Sequence, residues 1–356
     1  MSRSSSSAAI ATPGIDLGKN SFHLIGQDQR GSIVLRIKLS RVQLTQRLAN
    51  IPPCLIGMEA CAGAHHIGRQ LQALGHEVRL IPAQYVKPFL KGHKNDYRDA
   101  EAIAEAVQRP TMSFVAIKTP EQMDLLALHR VRSRLVSQRT GVTNQIRGFL
   151  LERGITVRQG LAPLRQALPS ILGSSDALSP RLVRLIADLT EDWRRLDERI
   201  ADVSTEIEAL AARDEHCQRL MSVPGVGPII SSAVVAAIGT GGGFKQGRDF
   251  GAWLGLVPKQ ESTGDRTILG KISKRGNKYL RTLFVQAAHI VLVRRPHGAR
   301  LGLWPWIETA GRRLHRNMLV IALANKLARI AWAVLARGHG LSAPERLPCG
   351  VRRTCA

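Results

Sequence analysis

Hydrophobic and polar positions follow two different rhythms in the first third of this chain. Short apolar runs at Gly14–Leu17, Phe22–Gly26 and Ile33–Leu39 are separated by polar or glycine-containing turns, the pattern of strands joined as an antiparallel meander. The rhythm then changes. A helix is expected over Val42–Leu48, a strand at Leu55–Met58, a helix at His65–Leu74, a strand at Glu77–Ile81, and helical segments around Tyr85–Leu90 and Asp96–Val107. The order is βββαβαβα. Alternation in its second half implies parallel strands joined by crossover helices, so this part reads as an α/β domain with a mixed sheet.

Beyond it, Glu121–Leu151 predicts one long helix with apolar residues at Leu125, Leu128, Leu135, Val142, Ile146 and Leu150. A stretch containing Gly, Pro and Ser, Gly154 to Ser179, breaks it. Ser179 then offers an N-cap and Pro180 a first helical position. Apolar residues recur at Ile186, Leu189, Trp193, Leu196, Ile200, Val203, Ile207 and Leu210, and steps of three and four sustained this long form a coiled-coil seam. The two long helices are expected to pair, as a rod between domains, as a subunit contact, or as a bundle within one domain. From Leu220 the chain reads as helical with glycine-rich joints and no repeat array. These patterns divide it into a floppy leader (1–12), an α/β domain (13–115), long helices (116–215), a mainly α domain (216–340) and a tail (341–356).

Charge changes the picture most. The 356 residues carry 51 Lys+Arg against 27 Asp+Glu, a net +24, with a sequence pI near 11.1. A polyanion is the implied partner, because each cation that neutralises a phosphate releases a condensed counterion. A ribosomal-type basic protein would share this property. Anionic membrane binding fits poorly, since no single amphipathic helix concentrates the charge. Five cysteines, Cys54, Cys61, Cys217, Cys349 and Cys355, show no pair at zinc-ligand spacing and suit a reducing compartment. The apolar stretch Met318–Leu335 is interrupted by Asn325, Lys326 and Arg329, which predicts a buried helix rather than a membrane span. A cytoplasmic protein working on the chromosome is expected.

Three constellations carry candidate chemistry. The first is acidic: Asp16 in Gly-Ile-Asp-Leu-Gly, Glu59 in Gly-Met-Glu-Ala, and Asp96 and Asp99 in Asn-Asp-Tyr-Arg-Asp-Ala. Asp16 and Glu59 end apolar strands, and Asp96 and Asp99 share one helix face. Converging carboxylates repel one another and are tolerated when a hard divalent cation such as Mg²⁺ or Mn²⁺ neutralises them. Two such ions about 3.5–4 Å apart can clamp the attacking and leaving oxygens of a phosphodiester. The plainer reading has Asp96 capping its helix and Asp99 pairing with Arg98 or Lys94.

The second is Pro224-Gly225-Val226-Gly227-Pro228, where glycines before a helix N-terminus expose backbone N–H groups able to hold a phosphate. It reads as a helix-hairpin-helix element that grips DNA backbone, or as a plain helical corner. The third runs from Trp253-Leu-Gly-Leu-Val-Pro through Glu261-Ser262-Thr263-Gly264 to Gly270-Lys-Ile-Ser-Lys-Arg-Gly-Asn-Lys-Tyr-Leu-Arg281. Ser262 beside a glycine in a flexible loop could approach a phosphate, while Lys271, Lys274, Arg275 and Arg281 neutralise developing charge. A basic phosphate-binding loop with incidental hydroxyls is the alternative, and Ser273 is expected to cap a helix beginning near Lys274.

Together these ordered motifs, from Gly14 to about Gly338, resemble the insertion-sequence IS110 family of transposases, closer to its IS1111 branch. The resemblance implies a ribonuclease H-like, resolvase-like first domain whose DEDD set is Asp16, Glu59, Asp96 and Asp99. It implies a serine nucleophile in the Ser-Thr-Gly loop, a coiled-coil linker, and a mainly α transposase domain. Homodimers or tetramers acting on donor and target DNA are implied as well, chosen by a structured guide RNA that the element encodes. Rival expectations are a metal-dependent nuclease of branched DNA using water, which needs the acids alone, and a silent nucleic-acid-binding protein, which needs neither.

Overall fold

The computed structural model describes residues 10–93, 95–173, 177–294 and 302–340. Residues 1–9 of the leader, the tail 341–356 with Cys349 and Cys355, and Lys94 lie outside them. The chain divides into two compact units, Met1–Glu121 and Gln122–Ala356.

In the first unit β1 (Thr12–Leu17), β2 (Ser21–Gln27) and β3 (Ile33–Ser40) form the antiparallel meander, and β4 (Leu55–Glu59) and β5 (Glu77–Ile81) add in parallel. The sheet order is β3-β2-β1-β4-β5. β1 begins at Thr12, before the expected start, because Thr12 and Pro13 already pair with Gln27 and Gly26 of β2. Helix α1 (Arg41–Ala49) starts at Ser40, whose hydroxyl accepts from Gln43 N while the Gln43 side chain accepts from Ser40 N, a reciprocal cap. With α2 (Ala64–Ala73) it buries Leu44, Leu48, Ile67 and Leu71 against Ile15, Leu24, Ile56 and Met58 of the sheet. Strand side chains alternate faces. The other face receives α3 (Ala83–Val86), the 3₁₀ turn Lys87–Phe89 and α4 (Asp96–Val107), packed through Ile81, Val86, Ile103 and Val107. Val115 and Ile117 also join this unit's core.

Helix α4 crosses β1 and β4 at two glycines. A Cβ on Gly14 would stand 2.2 Å from the Ala100 carbonyl oxygen, and one on Gly57 would stand 2.8 Å from Val107 Cβ. No larger residue fits beneath this helix without displacing it.

The second unit opens with α5 (Pro120–Leu151), α6 (Leu161–Gly173) and α7 (Pro180–Arg213). Helices α5 and α7 run antiparallel: Arg132 Nε donates to Ser204 Oγ at 2.7 Å and Arg139 Nη1 to Asp197 Oδ1 at 3.0 Å. Helix α7 buries Ile186, Trp193, Ile200 and Ile207, one residue every second turn. The interval from Gly154 to Ser179, expected to be a break, contains α6. Leu164 and Leu168 pack with Ile146, Leu150, Ile186 and Trp193. Its prolines hid it: Pro163 lies in the first turn, where no N–H partner is needed, and Pro169 gives up one bond that burial outweighs.

The unit continues through α8 (Glu215–Leu220), α9 (Pro228–Ile238), α10 (Gly247–Trp253), the hairpin β6 (Pro258–Thr263) and β7 (Arg266–Ile272), α11 (Lys278–Val293), α12 (Trp304–Gly311) and α13 (Arg316–Arg337). The hairpin stands where a flexible loop was expected in this mainly α region. Helix α13 is, among the described residues, the one helix long and apolar enough to cross a membrane. Its buried face, including Leu319, Leu323, Leu327, Ala331 and Leu335, is packed inside this unit with α10, α11 and α12. A buried polar chain fastens α5 to this core. His129 Nε2 lies 3.1 Å from Ser232 Oγ and Nδ1 3.1 Å from Tyr279 Oη. Ser232 donates its own proton to the Pro228 carbonyl, so His129 must donate through Nε2 and accept from Tyr279. Burial, with Arg132 nearby, pushes His129 down to about 4, so it stays neutral.

Gly14→Ala should therefore lower the unfolding free energy by about 1–3 kcal/mol through overpacking. Gly141→Ala, in α5 with nothing within 4 Å of the added carbon, should raise it by up to about 1 kcal/mol. Urea unfolding checks both, and equal effects would refute the close approach of α4.

Candidate active site

The acids predicted from sequence converge in the first unit. Asp16 near the end of β1 and Glu59 at the end of the neighbouring parallel strand β4 stand beside the first turn of α4, which carries Asp96 and Asp99. That helix is capped by Asn95, whose side chain accepts from Tyr97 N at 2.9 Å. Asp96 is therefore the first helical residue rather than the cap. Both aspartates lie where the helix dipole favours negative charge. Arg98, the expected partner of Asp99, donates instead to the His93 carbonyl.

The electrostatics record this crowding. Burial first, then Asp99 and Asp96, push Asp16 up to about 6 from the ordinary aspartate value. Burial and Asp99 likewise raise Glu59, against a lowering influence from Lys87. Among the described residues, no lysine or arginine forms a salt bridge with any of the four acids. A carboxylate cluster with no salt-bridged lysine or arginine, held on two strand ends and a helix, has the donor set that a hard divalent cation takes.

Two side chains missed in the sequence join the cluster. His23, on β2 directly opposite Asp16, points Nδ1 to 3.5 Å from Asp96 Oδ2. Ligand atoms of Asp16, His23 and Asp96 all lie within 4.8 Å of one another. The signal was available in the meander itself: a short turn after Asp16 brings a polar residue of the next apolar strand onto the same face. Cys61, two residues beyond Glu59, has its thiol raised by burial and by Glu59 and Asp16.

In the second unit the serine motif folds as a clasp and a projecting hairpin. Gly255 and Gly276, both with positive φ, let two backbone segments meet where side chains would collide: a Cβ on Gly276 would stand 1.8 Å from the Trp253 carbonyl oxygen. Ser273 N donates to Val257 O at 2.8 Å and Lys274 N to Gly255 O at 3.1 Å, locking the hairpin's root. Beyond it β6 and β7 pair up to Thr263 and Arg266 across a Gly264-Asp265 turn. Ser262 is exposed near this tip, its Oγ accepting from Gln260 Nε2 at 2.9 Å. Lys271, Lys274 and Arg275 are exposed at the root. Arg281 instead fastens the clasp, donating to the carbonyls of Leu254 and Arg275. The expected helix near Lys274 begins at Lys278 and is capped by Asn277, because Lys274 takes φ 54, which no helix continues. Ser273 accepts from Arg275 N in that turn.

The Pro-Gly-Val-Gly-Pro corner precedes α9, with Gly227 as its N-cap and Pro228 in the first turn. Gly225, at φ 76, lies against the Ala287 carbonyl of α11. Met221–Gly227, Ile290, Val291 and Arg294 surround a cavity of about 400 Å³.

A mixed α/β unit with clustered acids is followed here by a mainly helical unit, and comparison with known proteins shows which class of enzyme this arrangement belongs to: transposases, which act on DNA. Residues 13–154 match the DEDD transposase family of the IS110 type, and residues 217–302 match the transposase family IS116/IS110/IS902. The transposase for insertion sequence element IS1328 of Yersinia enterocolitica is 46% identical over 326 residues, 91% of this chain and 96% of that one. The transposase for insertion sequence element IS1111A of Coxiella burnetii is 40% identical over 325 residues, 91% of this chain and 89% of that one. The chain belongs to the IS110 family of insertion-sequence transposases.

The raised Asp16 carboxyl gives a pH signature. Its folded value of about 6 exceeds the unfolded 3.8, so the folded state holds the proton more tightly. That contribution is complete below pH 4 and is lost as pH rises through 6. In EDTA, Asp16→Asn should match wild type near pH 4 and exceed it at pH 7 by on the order of 1–2 kcal/mol, after discounting for its half-exposed position. Parallel stability curves from pH 4 to 7 would remove the crowding argument.

Proposed function

We propose that this transposase exchanges DNA strands through a covalent phosphoserine on Ser262, with Asp16, Glu59, Asp96 and Asp99 holding Mg²⁺ or Mn²⁺. The observation that carries the reading is the cluster of acids in the first unit, with no salt-bridged lysine or arginine among the described residues, in a chain whose second unit displays a serine on an exposed, anchored hairpin. A divalent cation bound by the acids supplies neutralisation of the phosphodiester oxygens. The chain's own part is to position and to attack. Ser262 Oγ forms a bond to phosphorus, the bond from phosphorus to one deoxyribose oxygen breaks, and that oxygen leaves as a hydroxyl with a proton. Attack by another strand's hydroxyl then restores a DNA phosphodiester and frees the serine. Bond energy is conserved, and no ATP is needed. Lys271, Lys274 and Arg275, exposed at the root of the hairpin, would bind phosphates of the DNA backbone on which the serine acts.

The order β3-β2-β1-β4-β5 supports a ribonuclease H-like reading of the first unit, and the antiparallel α5 and α7 support the coiled-coil reading. The domain limits 13–115, 116–215 and 216–340 belong to the same proposal, as do backbone binding by Gly225 and Gly227, homodimer or tetramer assembly, and a cytoplasmic place on the nucleoid. Selection of donor and target by a structured RNA from the element is consistent with the net +24 charge.

Ser262→Ala should keep nucleic-acid binding but eliminate the protein–DNA adduct trapped by denaturant, whereas Ser273→Ala should retain it and Thr263→Val should weaken it less. Loss in the Thr263 or Ser273 variant with survival in Ser262→Ala would reassign the nucleophile. Absence of any adduct in wild type would favour the water-using nuclease. Binding itself should be steeply salt-dependent: with six phosphate contacts, affinity should drop on the order of a thousandfold between 50 and 200 mM salt. A flat titration would detach the basic surface from phosphate binding.

A further inference from the structure

His23 is nine-tenths buried, with its side chain 10% exposed, yet it faces the acid cluster. Its ring packs edge-on against Tyr97, centroids 4.7 Å apart, and the Arg36 guanidinium covers Tyr97 from 4.5 Å. These contacts fix the imidazole plane. A polar contact of the ring is to the acid cluster itself, Nδ1 lying 3.5 Å from Asp96 Oδ2. A buried imidazole aimed at half-exposed carboxylates is well placed as a donor. Two ligands sharing an edge of an octahedral ion at about 2.1 Å stand roughly 3 Å apart, close to the separation already present. Asp16, from the adjacent strand, completes a set of three within 4.8 Å.

We propose that His23 is a nitrogen ligand of the acid site and biases it toward Mn²⁺ over Mg²⁺. The inference rests on the reading of the acids as cation-binding. Its chemistry follows from donor type. Mg²⁺ dehydrates reluctantly and takes oxygen ligands, whereas an imidazole nitrogen favours transition ions in the order of their general ligand affinity. A site of four carboxylates alone would show little such preference. With His23 in the set, the site distinguishes the two ions by the identity of one atom.

Full-length protein with Mn²⁺ as probe tests this. Pulsed electron paramagnetic resonance should show coupling of bound Mn²⁺ to a directly ligated nitrogen, absent in His23→Asp. Calorimetric titration should show the ratio of Mn²⁺ to Mg²⁺ affinity decreasing on the order of tenfold in that variant, while total binding persists through the new carboxylate. His23→Gln serves the same comparison if His23→Asp loses its cooperative melt. Wild-type Mn²⁺ binding without nitrogen coupling, coupling that survives in both variants, or an unchanged affinity ratio would each overturn the role of His23. The parent reading fails separately: Asp16→Asn that binds Mn²⁺ as tightly as wild type would show that the acids are not the site, whatever His23 does.

Discussion

Helix α4 can deliver its two aspartates only because no side chain stands between its backbone and the sheet. With hydrogen at Gly14 and Gly57, the helix settles onto β1 and β4 at a distance that any Cβ would prevent. The same contact sets two things at once. It buries Ile103, Ala106 and Val107, and it carries the first turn, with Asp96 and Asp99, to the strand ends that hold Asp16 and Glu59. Packing energy and site geometry are thus one interaction, and the carboxylates are forced together by a core that gains more from closure than their repulsion costs. Burial first, and the neighbouring acids after it, hold the Asp16 and Glu59 carboxyls above their usual range.

The second unit uses the same device for a different end. Gly255 and Gly276 allow two backbone segments to cross in contact, and the bonds from Ser273 and Lys274 close the crossing. Arg281, counted from sequence among the phosphate-facing cations, is taken up in making this joint. The buried chain from Ser232 through His129 to Tyr279 then ties the start of α11, immediately after the clasp, to the long helix α5. A neutral imidazole suits that position, since a charge there would be desolvated beside Arg132.

Much of this was legible in the sequence wherever a residue's role depended on local period. The meander, the crossover helices, and the placement of Asp16 and Glu59 at strand ends follow from periods of two and 3.6, and the four acids lie near enough to influence one another's charge. What escaped depended on tertiary context. Pro163 and Pro169 disguised α6, whose stability comes from burial against α5 and α7 rather than from propensity. The hairpin escaped because its strands alternate nothing: every residue of β6 is exposed, so no hydrophobic period exists to be read. His23 escaped because its neighbours come from register, which pairs it with Asp16 only once the turn between the strands is known.

In the proposed reaction, the exposure of that hairpin also bears on why acids and serine sit on such different supports. Ligands of a cation must be held to within about half an ångström, and a packed sheet with a helix across it provides that. A nucleophilic hydroxyl has another requirement, since it must reach a phosphate on a bulky polymer without the surrounding protein colliding with it. A two-stranded ribbon projecting into solvent meets this need, at the disadvantage that an isolated hairpin is only marginally ordered. The glycine clasp compensates at the root, so lost conformational entropy concerns only the strands beyond Val257 and Ser273 rather than the whole motif. In the proposed reaction, DNA contacts to the basic root residues would supply the remaining order at the moment of binding. Under that proposal the serine would become well positioned when a phosphate is bound.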